Sequence, residues 1–468
     1  MSAESRYAGR NAVVLGLGLT GYTLARHLAA GGAKVRVADT RGEPPFAAKL
    51  AAALPHVSLA TGSFSAATFA GADLIAISPG VAKDQPAIQA AVADGAELVG
   101  DIELFARALP PGQKVIAVTG TNGKSTVTSL AGALCRAAGL ATVVAGNIGD
   151  AVLDMLPEDG SWPDVFVLEL SSFQLETTSS LRPTAATVLN VTDNHLDRYA
   201  GIDSYAAAKA RIFEGGGIQV LNRDDPRSLA MRIPGRLVQT FGDGVPESEE
   251  AWGLVERGAR VGSRDATSGT WLARGGALLA PVSDLTLVGR HNAQNALAAL
   301  ALASSVLKID RRTLAALARF EGLPHRMQRA ADAGGVLFVD DSKGTTVTAT
   351  RAALAGLGRP VVLIAGGDGK GQDFAPLKAA VDAHCRAVLL IGRDAPLIAR
   401  ALVGTPAVVE QAGTLDVAVR RALQLATPGD AVLLSPACAS LDQFTNYVER
   451  GERYQKLVQR GLSEDAHA

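Results

Sequence analysis

The sequence predicts a three-domain α/β protein built on mostly parallel sheets, and three observations carry that prediction. Short β-branched runs alternate with Ala-rich helical stretches along most of the 468 residues. Two glycine-rich loops, at 16–21 and 119–126, stand where such a run gives way to a helical stretch. Two breaks, Leu109-Pro110-Pro111-Gly112 and Gly322-Leu323-Pro324, each separate a helical stretch from a fresh strand. The breaks divide the chain into segments 1–110, 111–322 and 323–468.

Taken in order, examples of the strand runs are 11–15, 34–38, 74–77, 114–118, 165–169, 187–190, 361–364, 387–391 and 431–434. Their separation by helical stretches is what parallel pairing needs, because a parallel neighbour is reached only through a crossover. One region breaks the rhythm. Residues 237–287 are Gly-rich and alternate like strands without a helix, as in GTWLARGGALLAPVSDLTLVG. They read as a small antiparallel addition to the middle domain.

Composition removes several functions. Lys plus Arg number 45 against 46 Asp plus Glu, without the basic excess of a general nucleic-acid binder. Three cysteines (Cys135, Cys385, Cys438) are too few and too scattered for a disulfide framework or zinc knuckle. The Ala/Leu stretch 295–307 is well short of the ~20 residues that cross a bilayer, so no membrane insertion is expected. The opening MSAESRYAGRN lacks the layout of a signal peptide, which points to the cytoplasm.

The first loop, Gly16-Leu17-Gly18-Leu19-Thr20-Gly21, has the G-x-G-x-x-G pattern that brings backbone close to a phosphate at a helix N-terminus. Asp39 follows 18 residues past Gly21, about where a ribose-binding acid lies. Locally this reads as NAD binding, or as a Rossmann-like domain for another nucleotide. The second loop is Thr119-Gly120-Thr121-Asn122-Gly123-Lys124-Ser125-Thr126. Its backbone N–H groups can cradle phosphates, Lys124 can reach the β/γ oxygens, and Ser125 can hold Mg²⁺. Val118 stands where the full phosphate-loop motif has its first glycine.

Further motifs follow in a fixed order: GNIG at 146–149, LELSSFQLE at 168–176, LNVTDNHLDRY at 189–199 and YAAAKARI at 205–212. Then come GRHNAQNALAA at 289–299, GLPHR at 322–326, DDSKGTT at 340–346, GGDGKGQDF at 366–374 and LLSPACASLDQF at 433–444. From GLGLTG to SLDQF the series resembles the Mur ligases, and within them the branch that adds D-glutamate to UDP-N-acetylmuramoyl-L-alanine. The resemblance implies a Rossmann-like UDP-substrate domain, a central ATP-binding ligase domain of phosphate-loop type, and a Rossmann-like C-terminal domain for the incoming amino acid.

It also implies the chemistry. ATP phosphorylates the substrate carboxylate, and the amine of glutamate attacks the acyl phosphate through a tetrahedral intermediate. ATP contacts would come from Gly120, Thr121, Asn122, Gly123, Lys124, Ser125 and Thr126, joined by Asn292, Asn295, Arg326, Asp341 and Lys343. Of these, Asn292 and Asn295 stand three apart at an expected helix start, where a helix-capping role for Asn292 is the plainer alternative. Ser125 and Glu169 would surround one Mg²⁺, and His195 with Lys209 a second. Asn190, Asp193, Asn194 and Asp197 mark a polar setting around His195, although TDN replaces the family's TED. Lys209 looks locally like a surface lysine on an Ala-rich helix, yet by resemblance it is carbamylated by CO₂, which requires a neutral amine and a lowered pKa.

Leu19, Thr20, Asp39, Thr40, Arg41, Ser78 and Gly80 become candidate UDP contacts, displacing NAD, with Asn147 on the sugar–peptide portion. Thr345 and Lys370 would hold one glutamate carboxylate, and Ser440 and Leu441 the other. Tyr447 stands where the family commonly has Phe, and Thr346 where it has Asn. Partners would be UDP-N-acetylmuramoyl-L-alanine, D-glutamate and ATP, with a monomer expected. The alternative is another ATP-dependent amide ligase of the folylpolyglutamate synthetase type.

Overall fold

A computed structural model describes residues 6–193, 198–258, 269–287 and 289–465. The first sheet holds β1 (Asn11–Leu15), β2 (Lys34–Asp39), β3 (Ser58–Thr61), β4 (Leu74–Ile77) and β5 (Glu97–Val99) in the order 3-2-1-4-5. All its pairings are parallel. The strand order reverses between β1 and β4, so the loops after them face one crevice, the usual ligand position of a doubly wound sheet. Gly16 turns there at φ +82°, and a Cβ on Gly21 would lie 1.7 Å from the Gly16 carbonyl oxygen. Only glycine lets the helix Leu19–Ala30 start so close beneath the loop.

The second sheet contains β6 (Lys114–Thr119), β7 (Thr142–Gly146), β8 (Val165–Glu169), β9 (Ala185–Val188), β10 (Ile218–Asn222), β11 (Val238–Phe241) and β12 (Ala251–Arg257). These run in the order 12-11-10-9-6-8-7. Ile116, Ala117 and Val118 of β6 are fully buried, each large apolar side chain contributing roughly 1.5–3 kcal/mol of burial. The expected strand at 187–190 lies two residues earlier. The antiparallel expectation for 237–287 needs correction at its start. β10 to β11 and β11 to β12 are parallel joins, so the parallel sheet extends through Trp252. Trp252 is fully buried, and its indole N–H donates to Gln239 Oε1 at 2.8 Å. Packing at this strand carried the pairing beyond the point where helical crossovers ceased.

Beyond β13 (Gly269–Arg274) and β14 (Ala277–Pro281), the third sheet is built from β15 (Gln328–Ala333), β16 (Val336–Asp340), β17 (Val361–Gly366), β18 (Cys385–Ile391), β19 (Val408–Gly413) and β20 (Ala431–Leu434). Its order is 15-16-20-17-18-19, with β15 antiparallel and the rest parallel. The loops after β16, β17, β18 and β20 therefore leave from the same edge. Among the described residues, four non-glycine residues have left-handed backbone, and all flank these strands: His325 (φ 62°), Met327 (46°), Lys370 (51°) and Ala437 (58°).

The chain forms two compact units. One comprises 1–253, 274–277 and 297–313; the other comprises 254–273, 278–296 and 314–468. The helix Arg290–Ala303 is buried at every position from 296 to 303, as an Ala/Leu helix without a polar face must be. Among the described residues no helix is long and apolar enough to cross a membrane.

Candidate active site

The second glycine-rich loop joins β6 to the helix Lys124–Ala137, with Gly123 left-handed at φ +83° immediately before the helix. A Cβ on Gly120 would stand 3.0 Å from the Leu189 Cβ, so the loop lies directly on the segment leaving β9. That segment clamps it. The Asn190 carbonyl accepts from Thr121 N at 2.9 Å, Asn190 Oδ1 accepts from Asn122 N at 2.8 Å, and Asn190 Nδ2 donates to Asn122 O at 3.2 Å. The sequence marked Asn190 only as polar surroundings; here it fixes the phosphate-loop backbone.

Two lysine side chains converge on one carbonyl. Lys124 Nζ donates to Gly120 O at 3.0 Å and Thr121 O at 2.9 Å, and Lys209 Nζ donates to Gly120 O at 2.9 Å. Lys209 is not the surface lysine its Ala-rich helix suggested. It is 1% exposed, with Nζ 4.3 Å from the centroid of the Tyr205 ring. Burial, then the charge of Lys124, lowers its pKa to about 6, against the opposing pull of Glu169. The amine is therefore largely neutral near pH 7.

Glu169 ends β8 and is 2% exposed. Asn147 Nδ2 donates to its Oε1 at 2.8 Å, while Oε2 is buried without a hydrogen-bond partner. Asn147 N also donates to Glu169 O at 2.8 Å, and a Cβ on Gly146 would sit 2.2 Å from that oxygen. The GNIG loop thus orients the carboxylate. An unpartnered buried oxygen here suits a hard divalent cation, with Ser125 buried at the start of the neighbouring helix. His195 lies outside the described residues, as do Asn194 and Asp197. Among the described residues no three His, Cys, Asp or Glu side chains form a metal-ligand group.

At the first loop, Asp39 is 2% exposed and both its oxygens are engaged. Leu17 N donates to Oδ2 at 2.6 Å, Arg41 N and Nε donate to Oδ1 at 2.8 and 2.9 Å, and Arg41 Nη2 donates to Oδ2 at 2.6 Å. The Arg41 hydrogen bonds chiefly, with the Leu17 N–H also lowering it, hold the carboxyl at about 2. Ser78 Oγ donates to Gly16 O at 3.1 Å, tying the loop after β4 to the loop after β1. Leu19, Thr40, Arg41 and Gly80 are exposed around this crevice. Nearby, a cavity of about 460 Å³ is lined by Lys83, Glu176, Arg198, Tyr199 and Arg211, none of which was among the candidate site residues.

The other unit gathers its candidates on the third sheet. Asp341 accepts from Ser435 Oγ at 2.7 Å and from Met327 N at 3.3 Å, and burial pushes its pKa up to about 7. Lys343 Nζ lies 3.3 Å from the Tyr447 hydroxyl and 4.9 Å from its ring centroid. The hydroxyl that distinguishes Tyr447 from the family's Phe therefore meets an expected ATP contact. Thr346 starts the helix Val347–Leu357, its hydroxyl accepting from Ala349 N at 3.2 Å, so replacement of Asn leaves a good helix cap. Ser440 is buried and Leu441 exposed in the loop after β20. The helix carrying Asn292 begins at Arg290, so Asn292 is inside it and is not the cap. Its Oδ1 accepts from Asn295 Nδ2 at 3.0 Å. Arg326 lies between the left-handed His325 and Met327.

Three family models cover this arrangement: the N-terminal domain of MurD-like Mur ligases at 10–100, the Mur ligase middle domain at 118–303 and the Mur ligase glutamate ligase domain at 325–438. The UDP-N-acetylmuramoylalanine–D-glutamate ligase of Thiobacillus denitrificans is 54% identical over 471 residues, covering 97% of each chain. That of Methylobacillus flagellatus is also 54% identical, covering 96% of each. Among solved structures, the UDP-N-acetylmuramate–alanine ligase of Thermotoga maritima has a TM-score of 0.57 at 20% identity, covering 96% of this chain and 99% of that one. The folylpolyglutamate synthase of Mycobacterium tuberculosis shares the fold over 70% of this chain and 89% of that one, with a TM-score of 0.53 at 18% identity. The lysine pair on Gly120, the oriented Glu169 and the full-length identity agree, and this chain belongs to the Mur ligase family.

Proposed function

We propose that the protein joins D-glutamate to UDP-N-acetylmuramoyl-L-alanine, consuming ATP and releasing ADP and phosphate, as a step of peptidoglycan precursor synthesis in the cytoplasm. The 54% identity to D-glutamate ligases along 97% of the chain supports the substrates. The observation that carries the chemistry is the pair of lysines on the Gly120 carbonyl beside an unpartnered Glu169 oxygen.

A carboxylate is a poor acyl donor, and its approach to the γ-phosphate of ATP sets anion against anion. Lys124 neutralises charge on the triphosphate, and the N–H groups of 120–126 hold it in line for transfer. Ser125 and Glu169 would hold one Mg²⁺, and His195 with a carbamylated Lys209 a second; bound there, Mg²⁺ offsets the charge of the phosphates. The depressed pKa of Lys209 suits carbamylation. Its neutral amine adds to CO₂ and loses one proton, exchanging a potential cation for an anion. The glutamate amine then attacks the acyl phosphate and phosphate leaves.

The domains proposed are 1–110 for UDP, 111–322 for ATP and ligation, and 323–468 for the amino acid. Leu19, Thr20, Asp39, Thr40, Arg41, Ser78 and Gly80 would take the UDP, with Asn147 toward the sugar–peptide portion. Asn292, Asn295, Arg326, Asp341 and Lys343 complete the ATP contacts. Thr345, Lys370, Ser440, Leu441 and Tyr447 serve glutamate, in a monomeric enzyme. The test is phosphate release from MgATP and UDP-N-acetylmuramoyl-L-alanine with D-glutamate, L-glutamate or no amino acid, alongside product mass. Release dependent on D-glutamate with the ligated mass is expected; no release with either isomer overturns the substrate assignment.

A further inference from the structure

Three loops of the third sheet carry Thr345, Lys370, Ser440 and Leu441, four of the residues proposed for glutamate: 341–346 after β16, 367–372 after β17 and 435–442 after β20. One side chain touches all three. Gln372 Nε2 lies 3.1 Å from Gly369 O, 3.1 Å from Ala437 O and 3.4 Å from Thr345 O. Its Oε1 accepts from Val347 N at 3.2 Å, the first residue of the helix that follows Thr346. An amide head presents two N–H donors, shared here among three carbonyls, and an acceptor in the same plane. A carboxylate there would face three carbonyl oxygens.

The backbone being tied is strained. Lys370 and Ala437 are left-handed at φ 51° and 58°, conformations that persist in non-glycine residues only where the surroundings hold them. Gln372 binds the carbonyl immediately before Lys370 and the carbonyl of Ala437 itself. A second set of bonds closes the outer side. Lys370 N donates to Asp368 Oδ1 at 2.9 Å, and Arg393 Nη2 pairs with the same oxygen at 2.5 Å. Arg393 N donates to Asp442 Oδ2 at 2.9 Å.

We propose that Gln372 is a positioning residue that sets the spacing of Thr345, Lys370 and Ser440 and so the affinity for the amino-acid substrate, resting on the reading that these loops bind glutamate. The full-length enzyme is compared with Gln372→Glu and Gln372→Ala, measuring KM for D-glutamate and for ATP by phosphate release. KM for D-glutamate should rise about tenfold in Q372E and several-fold in Q372A, with KM for ATP within about twofold. Q372A leaves no added charge, so it carries the test if Q372E does not fold.

Hydrogen exchange on Q372A should quicken in peptides covering 343–347 and 437–441 while 120–126 is unchanged. An unaltered KM for D-glutamate in both variants, or KM for D-glutamate and ATP rising together, overturns the proposal. If the wild-type enzyme gives no D-glutamate-dependent release, the functional reading fails. Exchange alone then decides, unaltered rates overturning the proposal.

Discussion

The two glycine-rich loops have the same backbone plan and opposite electrostatics. Each leaves a central parallel strand, turns on a left-handed glycine and enters a helix. At the first, the Leu17 N–H is already taken by the carboxylate of Asp39, which Arg41 also engages. At the second, the chain supplies a cation, Lys124, and beside it the buried amine of Lys209, both meeting the Gly120 carbonyl. A glycine pattern therefore reports where backbone can come close to a ligand. The side chains beneath it set the charge a ligand would meet, which accords with the proposed UDP site at the first loop and triphosphate site at the second.

The sharpest way to break this comparison is Lys124→Ala. It should lower phosphate release about a thousandfold while leaving calorimetric binding of UDP-N-acetylmuramoyl-L-alanine intact, because only the second loop depends on added positive charge. Glu169→Gln keeps the acceptor for Asn147 and removes the charge. Turnover should fall about a hundredfold, with more Mg²⁺ needed for half-maximal rate.

Asp39→Asn acts on the other loop and should raise KM for the UDP substrate about tenfold, with KM for ATP unchanged. It also removes an acid-sensitive element. The folded carboxyl titrates at about 2, below its ordinary 3.8. The unfolded chain thus binds more protons between those values, and the stabilisation is complete above about 4 and lost as pH falls to about 2. Wild type should lose stability through that window more steeply than Asp39→Asn, as read by denaturant midpoints at several pH values. The smallest effect belongs to Ser78→Ala, which removes one hydrogen bond to Gly16 and should raise KM for the UDP substrate about threefold.

Every run that stood out became a strand interior to its sheet, although β10 and β16, equally interior, did not stand out. The runs at 11–15, 74–77, 165–169 and 431–434 coincide with β1, β4, β8 and β20, all interior to their sheets. The sheet edges β3, β5, β7, β15 and β19 were not among the runs that stood out. An edge strand such as SLAT or QRAADA lacks the continuous apolar stretch that double-sided burial requires. At the site, Lys124 stood out from its own glycine-rich loop, whereas Glu169 entered only through the family resemblance. Lys209 was not legible from its neighbours, because its burial comes from Gly120, 89 residues away. Gln372 left no signal either: the carbonyls it bridges come from loops 27 and 65 residues distant.

The left-handed residues around the third sheet bias what mutation can do there. At Ala437 a change to glycine relieves about 1 kcal/mol of backbone cost, while valine or isoleucine adds to it. The same asymmetry holds at Lys370, where relief comes only by discarding the ammonium. A library meant to retrain this enzyme to another amino acid would thus be enriched, under selection for stability alone, in glycines that loosen the proposed glutamate loops. Screening for affinity and for thermal tolerance would pull these two positions in opposite directions.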